Sequence, residues 1–248
     1  MRRLGQHFLR NEKILTRIVD YGSIDSKDIV LEVGAGEGLL TEKIADRAGK
    51  VIAVEIDESL AEIAHRRLVD RDNVEIIVGN ILELDLRGFN KVISNPPYGI
   101  SARLMEWLID RRPETMVLTL QKEFVGKLKA RPGTRKYTYI SFLSQLAYNI
   151  EVREIIPRRY FHPPPKIDSM IAVFSRRPGY DGISGWEAKT ARMLFTRRRQ
   201  NLLRVVDDMF GSEAANLMKS RSYALKRIYQ LPPEELLDCV RLIKAVYG

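Results

Sequence analysis

Asn95-Pro96-Pro97-Tyr98 and Leu31-Glu32-Val33-Gly34-Ala35-Gly36-Glu37-Gly38 are the stretches whose reading decides the fold. Each belongs to a short apolar run, Val92-Ile93 for the first and residues 29–33 for the second. Such runs read as strands buried on both faces of a parallel sheet. In open sheets of that kind, ligands sit beyond the carboxyl ends of the strands. The two motifs are therefore expected to face each other across one crevice, with a glycine loop on one wall and a proline-stiffened loop on the other.

The proline motif has a definite chemistry. Two consecutive prolines fix φ and restrict the residue before each of them, so residues 95–98 are rigid and extended. Neither proline has an N–H, so their carbonyls can accept from a ligand. Asn95 adds a side-chain acceptor and Tyr98 a flat ring. Rigid acceptors beside an aromatic face suit a planar group carrying an NH₂, such as adenine. Asn-Pro is also a common turn signal; the glycine loop one Rossmann-like half earlier is what favours a ligand over a plain turn.

Working outward, Asn11 is a good N-cap for a helix with Ile14, Leu15, Ile18 and Val19 on one face. Strands are expected at about 29–33, 51–54, 74–78, 91–94 and 116–120, alternating with helices, and two more at about 148–156 and 168–175. That alternation predicts right-handed βαβ units, an α/β fold and a mostly parallel, Rossmann-like sheet of about seven strands. At Arg177-Pro178-Gly179-Tyr180-Asp181-Gly182 the pattern becomes all helical: 186–195, 202–209, and a last helix opened by Pro232-Pro233-Glu234-Glu235. The expected organisation is a catalytic domain with a basic N-terminal segment over 1–178 and a small all-helical domain over 179–248.

Composition narrows the classes. The 248 residues are 45% hydrophobic and 29% charged, as in a globular protein. No apolar run approaches the roughly 18 residues of a membrane span. The first residues, Met1-Arg2-Arg3-Leu4-Gly5-Gln6, lack the apolar core of a signal peptide. A single cysteine, Cys239, excludes an internal disulfide and fits a reducing cytoplasm. With three scattered histidines, no metal is expected. The net charge of +9 points to a polyanionic partner. Residues 111–136 hold eight basic residues against Glu114 and Glu123, and 189–204 hold six with no acidic one. Both clusters follow the proline loop, so a nucleic-acid footprint beside the site is expected. Lys122, Arg131, Arg135, Lys136, Arg197, Arg198 and Arg199 are the candidate phosphate contacts, extended by Arg158 and Lys166.

The glycine loop selects among cofactors. A dinucleotide fingerprint wants Gly or Ala where this chain has Leu39, and no Gly-Lys-Ser/Thr is present for a triphosphate. Glu32 and Glu37 would repel a pyrophosphate and tolerate a cation. Glu55, at the end of the second strand, can accept both hydroxyls of a ribose. S-adenosylmethionine offers a sulfonium, a ribose and no phosphate, and meets these conditions. Asn80, closing the third strand, is a candidate partner for the cofactor adenine.

Residues 31–38, Glu55, Gly79-Asn80 and Asn95 to Tyr98 resemble the motifs of class I S-adenosylmethionine-dependent methyltransferases that act on exocyclic amines. Three further stretches are similar to the KsgA/Dim-type ribosomal RNA adenine dimethyltransferases. These are Gln6-His7-Phe8-Leu9, Phe161-His162-Pro163-Pro164-Pro165-Lys166-Ile167-Asp168-Ser169, and Leu194-Phe195 followed by Arg197-Arg198-Arg199. Asn80 departs from the Asp of many members, though an amide can still accept. The resemblance implies dimethylation of two adjacent adenosines in the 3′-terminal hairpin of small-subunit rRNA, by a monomer acting on a pre-ribosomal particle. It implies catalytic roles for Asn95, Pro96, Tyr98 and Phe161, with Phe161 facing Tyr98 across the flipped base. It implies cofactor contacts from Gln6, His7, Leu9, Glu32, Gly34, Gly36, Glu55, Ile56, Asn80, Ile81 and Asn95. A large-subunit rRNA or DNA adenine N6-methyltransferase, or mainly a ribosome-assembly binding factor, are the alternatives.

Overall fold

The computed structural model describes residues 7–247; Gln6, expected at the cofactor, lies outside them. In chain order the elements are β1 (Phe8–Leu9), α1 (Glu12–Tyr21), β2 (Ile29–Val33), α2 (Leu39–Ala45), β3 (Lys50–Glu55) and α3 (Glu58–Arg67). Then come β4 (Val74–Val78), β5 (Lys91–Ser94), α4 (Ser101–Arg111), β6 (Thr115–Gln121), α5 (Lys122–Leu128) and α6 (Tyr139–Ala147). The rest are β7 (Tyr148–Ile156), β8 (Phe161–His162), β9 (Ser169–Arg176), α7 (Gly185–Thr196), α8 (Leu202–Met218) and α9 (Pro233–Tyr247).

The chain divides into two compact units. The first, Met1–Val125 with Tyr148–Arg176, carries a seven-stranded sheet of order β4-β3-β2-β5-β6-β9-β7. The pairings from β4 to β6 are parallel, and β9 is antiparallel to both β6 and β7. Order runs outward in both directions from β2 and β5, the switch point at which open sheets bind ligands. The apolar runs foreseen as central strands are buried: every residue of 30–33 and 51–55 is shielded from solvent. One face is packed by Ile14, Leu15, Ile18 and Val19 of α1 and Leu40 and Ile44 of α2, against Ile93, Val117, Ile171 and Val173 of the sheet. Asn11 caps α1 as expected, accepting from the Ile14 N–H at 3.1 Å.

The second unit joins Gly126–Ala147 to Arg177–Gly248, so the boundary differs from the single break expected at 178. The reason is aromatic packing: Tyr137, Tyr139 and Phe142 meet Phe195 of α7 with ring centroids 5.9, 6.2 and 6.0 Å apart. Burial of such rings dominates small-core energetics, and it ties a segment that precedes β7 to helices that follow β9. α7 begins in a capping box formed by Ser184 and Glu187. α8 continues past the expected end at about 209, with a kink where Gly211 adopts φ 79°.

Candidate active site

The crevice forms where β2, β3 and β5 end. Ser94 Oγ donates to the Val33 carbonyl at 2.7 Å, joining the ends of β5 and β2. The Gly34 and Ala35 N–H groups bond to the Val54 carbonyl at 2.8 and 3.2 Å, anchoring the loop to β3. Gly34 and Gly36 sit at φ 80° and 57°, a left-handed conformation costly to other residues. Their missing side chains also matter for space. A Cβ on Gly34 would stand 3.1 Å from Pro97 Cδ, and one on Gly36 3.2 Å from Phe8 Cε1. The loop therefore touches both the proline loop and the N-terminal segment. The crevice holds about 660 Å³ of empty space, part of it open to solvent, lined by His7, Leu9, Glu32, Gly34, Gly36, Glu55, Asn95, Pro96 and Tyr98 among others. Gly34→Ala is expected to lower cofactor affinity about tenfold, by backbone strain and by pressing the two loops apart; isothermal titration of the purified variant measures it.

Two carboxylates face this space in different states. Glu55, 3% exposed, is fully engaged by backbone: its Oε2 accepts from Gly36 N at 2.9 Å and its Oε1 from Ile56 N and Asp57 N at 2.9 and 3.0 Å. Those bonds hold it rigid, while each oxygen retains capacity for a further donor. Glu32, 1% exposed, has an Oε2 with no partner among the described residues. Burial pushes its carboxyl up to about 8, and the neighbouring Glu55 carboxylate adds to the push. A buried carboxyl with one open oxygen, set beside Glu55, fits a cationic ligand.

On the facing wall, Asn95 Nδ2 donates to the His7 carbonyl at 3.1 Å, and its buried Oδ1 has no partner among the described residues. Tyr98 shares a 2.6 Å hydrogen bond with Ser169 Oγ, and burial pushes its phenol up to about 12, so it is neutral. The ring near-parallel to Tyr98 is His7, with centroids 5.5 Å apart and planes inclined by 29°. Phe161, expected to face Tyr98 across the base, instead meets it edge-on at 6.4 Å and 70° and is itself buried. Its ring is drawn into the core because its backbone pairs with Leu9 in the β1–β8 ribbon.

The other expected contacts stand outside the crevice lining. Asn80 follows β4 beside Glu55, whose carbonyl accepts from Gly79 N at 2.8 Å. The Asn80 amide accepts from Leu82 N at 3.2 Å and donates to Glu83 at 2.6 Å, and it keeps one further N–H and one further acceptor site. Neither Asn80, the buried Ile81 nor the 44%-exposed Ile56 lines the crevice. Of the basic candidates, Lys122, Arg158 and Lys166 are exposed on the first unit, and Arg131, Arg135, Lys136 and Arg199 on the second. Arg197 and Arg198, expected at phosphates, are half-buried and tied internally. Arg197 pairs with Asp208 at 2.7 Å, and Arg198 donates to the Tyr137 carbonyl. Ser169 closes the family-like stretch at 161–169, but sequence reasoning assigned no role to its place against Tyr98. Among the described residues, no cluster of three or more His, Cys, Asp or Glu could hold a metal.

Sheet order, glycine cradle, rigid ribose-type carboxylate and acceptor-bearing lip together define a class I methyltransferase, with S-adenosyl-L-methionine as methyl donor. The chain belongs more narrowly to the ribosomal RNA adenine dimethylase family, whose sequence model matches residues 1–245. Among similar curated proteins, one from Thermococcus onnurineus (strain NA1) is 38% identical over 97% of this chain and 91% of its own length. One from Thermococcus gammatolerans (strain DSM 15229 / JCM 11827 / EJ3) is 37% identical over 96% and 87%. Both are named probable ribosomal RNA small subunit methyltransferase A. The solved dimethyladenosine transferase from Plasmodium falciparum superposes with a TM-score of 0.84 at 26% identity, over 96% of this chain and 98% of that one. The 23S rRNA methyltransferase ErmE gives 0.69 at 25%, over 96% and 99%.

Proposed function

We propose that the protein dimethylates N6 of two adjacent adenosines in the 3′-terminal hairpin of small-subunit rRNA, on a pre-ribosomal particle in the cytoplasm and as a monomer. The observation that carries this is the unpartnered Oδ1 of Asn95, a buried acceptor aimed at no group among the described residues. The names of the curated relatives support the small subunit, and the likeness to a solved dimethyladenosine transferase supports dimethylation of adenosine.

Bound S-adenosyl-L-methionine supplies an electrophilic methyl carried on a sulfonium. Glu55 is suited to hold ribose hydroxyls and Glu32 the cationic part, with Gly34 and Gly36 giving backbone room; cofactor contacts from His7, Leu9, Ile56, Asn80 and Ile81 complete the proposal. On the target side, adenine N6 is a weak nucleophile because its lone pair is delocalised into the ring. For the first methyl, Asn95 Oδ1 and the Pro96 carbonyl would each accept one amino hydrogen, which favours a pyramidal nitrogen and aims its lone pair. N6 gains the methyl as the S–C bond breaks and sheds one proton to solvent. For the second methyl the monomethylated amine, in a rotated pose, has one hydrogen left for one of the two acceptors. The base reaches the crevice only unstacked, with Tyr98 as its platform. Orientation and fixed dipoles account for the work, and no strong base is assigned.

The decisive experiment incubates labelled S-adenosylmethionine with unmethylated small subunits, large subunits and duplex DNA, followed by nucleoside analysis. Label in N6,N6-dimethyladenosine of small-subunit RNA alone is expected; label confined to large-subunit RNA or DNA overturns the proposal. Exposed Arg131, Arg135 and Lys136 are proposed to bind phosphates from the second unit. Arg135→Glu with Lys136→Glu should weaken RNA binding about tenfold and flatten the log–log salt slope by about one for each phosphate no longer bound. Filter binding across salt concentrations reads the slope, and cofactor affinity should stay within about twofold.

A further inference from the structure

An amide has two ends, and only its oxygen can accept from a target amino group. Asn95 Nδ2 is held by the His7 carbonyl at 3.1 Å, a bond only the nitrogen end can make, and this leaves Oδ1 as the buried end without a partner among the described residues. The His7 carbonyl is itself well fixed. His7 Nδ1 lies 2.7 Å from the Pro163 carbonyl, and its ring stacks on Tyr98. Phe8 and Leu9 pair with His162 and Phe161. The Phe8 ring lies against the glycine loop at Gly36, and Arg10 ends the segment with a 2.6 Å ion pair to Glu37. Residues 7–10 therefore clasp the glycine loop, the proline loop and the Pro-rich loop.

We propose that this segment is a positioning element for methyl transfer: the His7 backbone carbonyl sets the orientation of the Asn95 amide, so that its acceptor end meets the target amine. The inference rests on the methyl-transfer reading and gives the N-terminal segment a part in turnover that is separate from touching the cofactor. With the amide reversed, Oδ1 would face the His7 carbonyl and Nδ2 the target NH₂. Both encounters are repulsive, acceptor against acceptor and donor against donor. Because the same strand lies against the glycine loop, disturbing that loop is transmitted to the reacting side chain through one hydrogen bond.

The link can be tested from both ends. Asn95→Asp removes the donor and sets a carboxylate against the His7 carbonyl. Hydrogen exchange of the peptide containing Phe8 and Leu9 should then accelerate at least tenfold, whereas Tyr98→Phe, which keeps the ring, should leave it within about twofold. In the second test, Phe8 is replaced by its α-hydroxy acid, which keeps the side chain and turns the His7 carbonyl into a weaker ester acceptor. This should lower kcat about tenfold, keep KM for the cofactor within about twofold, and speed exchange of the Asn95 side-chain NH₂ in cofactor-free protein. Unchanged strand exchange in Asn95→Asp, or an unchanged kcat in the ester protein, overturns the proposal. If wild-type protein methylates no ribosomal substrate while both exchange effects appear, the function reading fails and the clasp stands.

Discussion

Asn95→Ala is expected to lower kcat about 10³-fold while the protein stays folded. The side chain does two things at once: its Oδ1 is the buried acceptor left unpaired, and its Nδ2 fastens the N-terminal segment. Removing one preorganised polar group from a transition-state site costs about 10²–10³ in turnover. Cutting the link to His7 as well places the variant at the upper end of that range. Stability should suffer far less. The residue is half-buried, β5 ends at Ser94, and the neighbouring prolines hold the loop whatever stands at 95. Thermal unfolding within a few degrees of wild type, with single-turnover methylation down about a thousandfold, is the expected pair of results. Retention of more than about a tenth of the activity would mean that the amino group is held by other atoms.

The fold is legible where apolar runs meet clear stops. Residues 29–33 and 91–94 are bounded correctly because a run buried in mid-sheet and ending before Gly or Asn has few other readings. The edge strands 74–78 and 148–156 are half-exposed, and their bounds come instead from β-branched residues stopped by Gly79 and Pro157. α6 is not legible for a different reason. Ile140, Phe142, Leu143, Leu146 and Ala147 are buried all round, so no polar stripe marks it as a helix. The two-residue pairing of β1 with β8 joins positions far apart in the chain and leaves no periodic signal. At the site, the position of Glu55, Asn95 and Tyr98 at the crevice is legible, since an acceptor or a carboxylate at a strand end is a positional statement. Arg198 shows where that reasoning stops: a basic residue in a basic run serves equally as a brace, here on the Tyr137 carbonyl, and only its neighbours decide.

Glu32 yields the second large effect, a pH-dependent cofactor affinity. Its carboxyl sits near 8 in the folded protein against 4.5 for an ordinary glutamate, chiefly through burial. Below about 8 the cofactor-free protein holds Glu32 protonated, and a cationic ligand that pairs with the carboxylate must displace that proton. Affinity should therefore rise by nearly tenfold per pH unit from about 6 towards 8, then level off, with proton release on binding. The sign for stability is opposite. Because the folded state binds the proton more tightly than the unfolded chain, the contribution is fully present below pH 4.5 and is lost as pH rises through about 8. Cofactor-free protein should thus melt lower at about pH 8 than at about pH 6 by an amount that Glu32→Gln abolishes, since glutamine mimics the protonated form. Glu32→Gln should also flatten the affinity profile and hold it at the low-pH value. Calorimetric titration in buffers of different ionisation enthalpy counts the released proton directly. A pH-independent affinity in wild type would mean that the cationic part of the cofactor pairs elsewhere and that Glu32 stays protonated throughout.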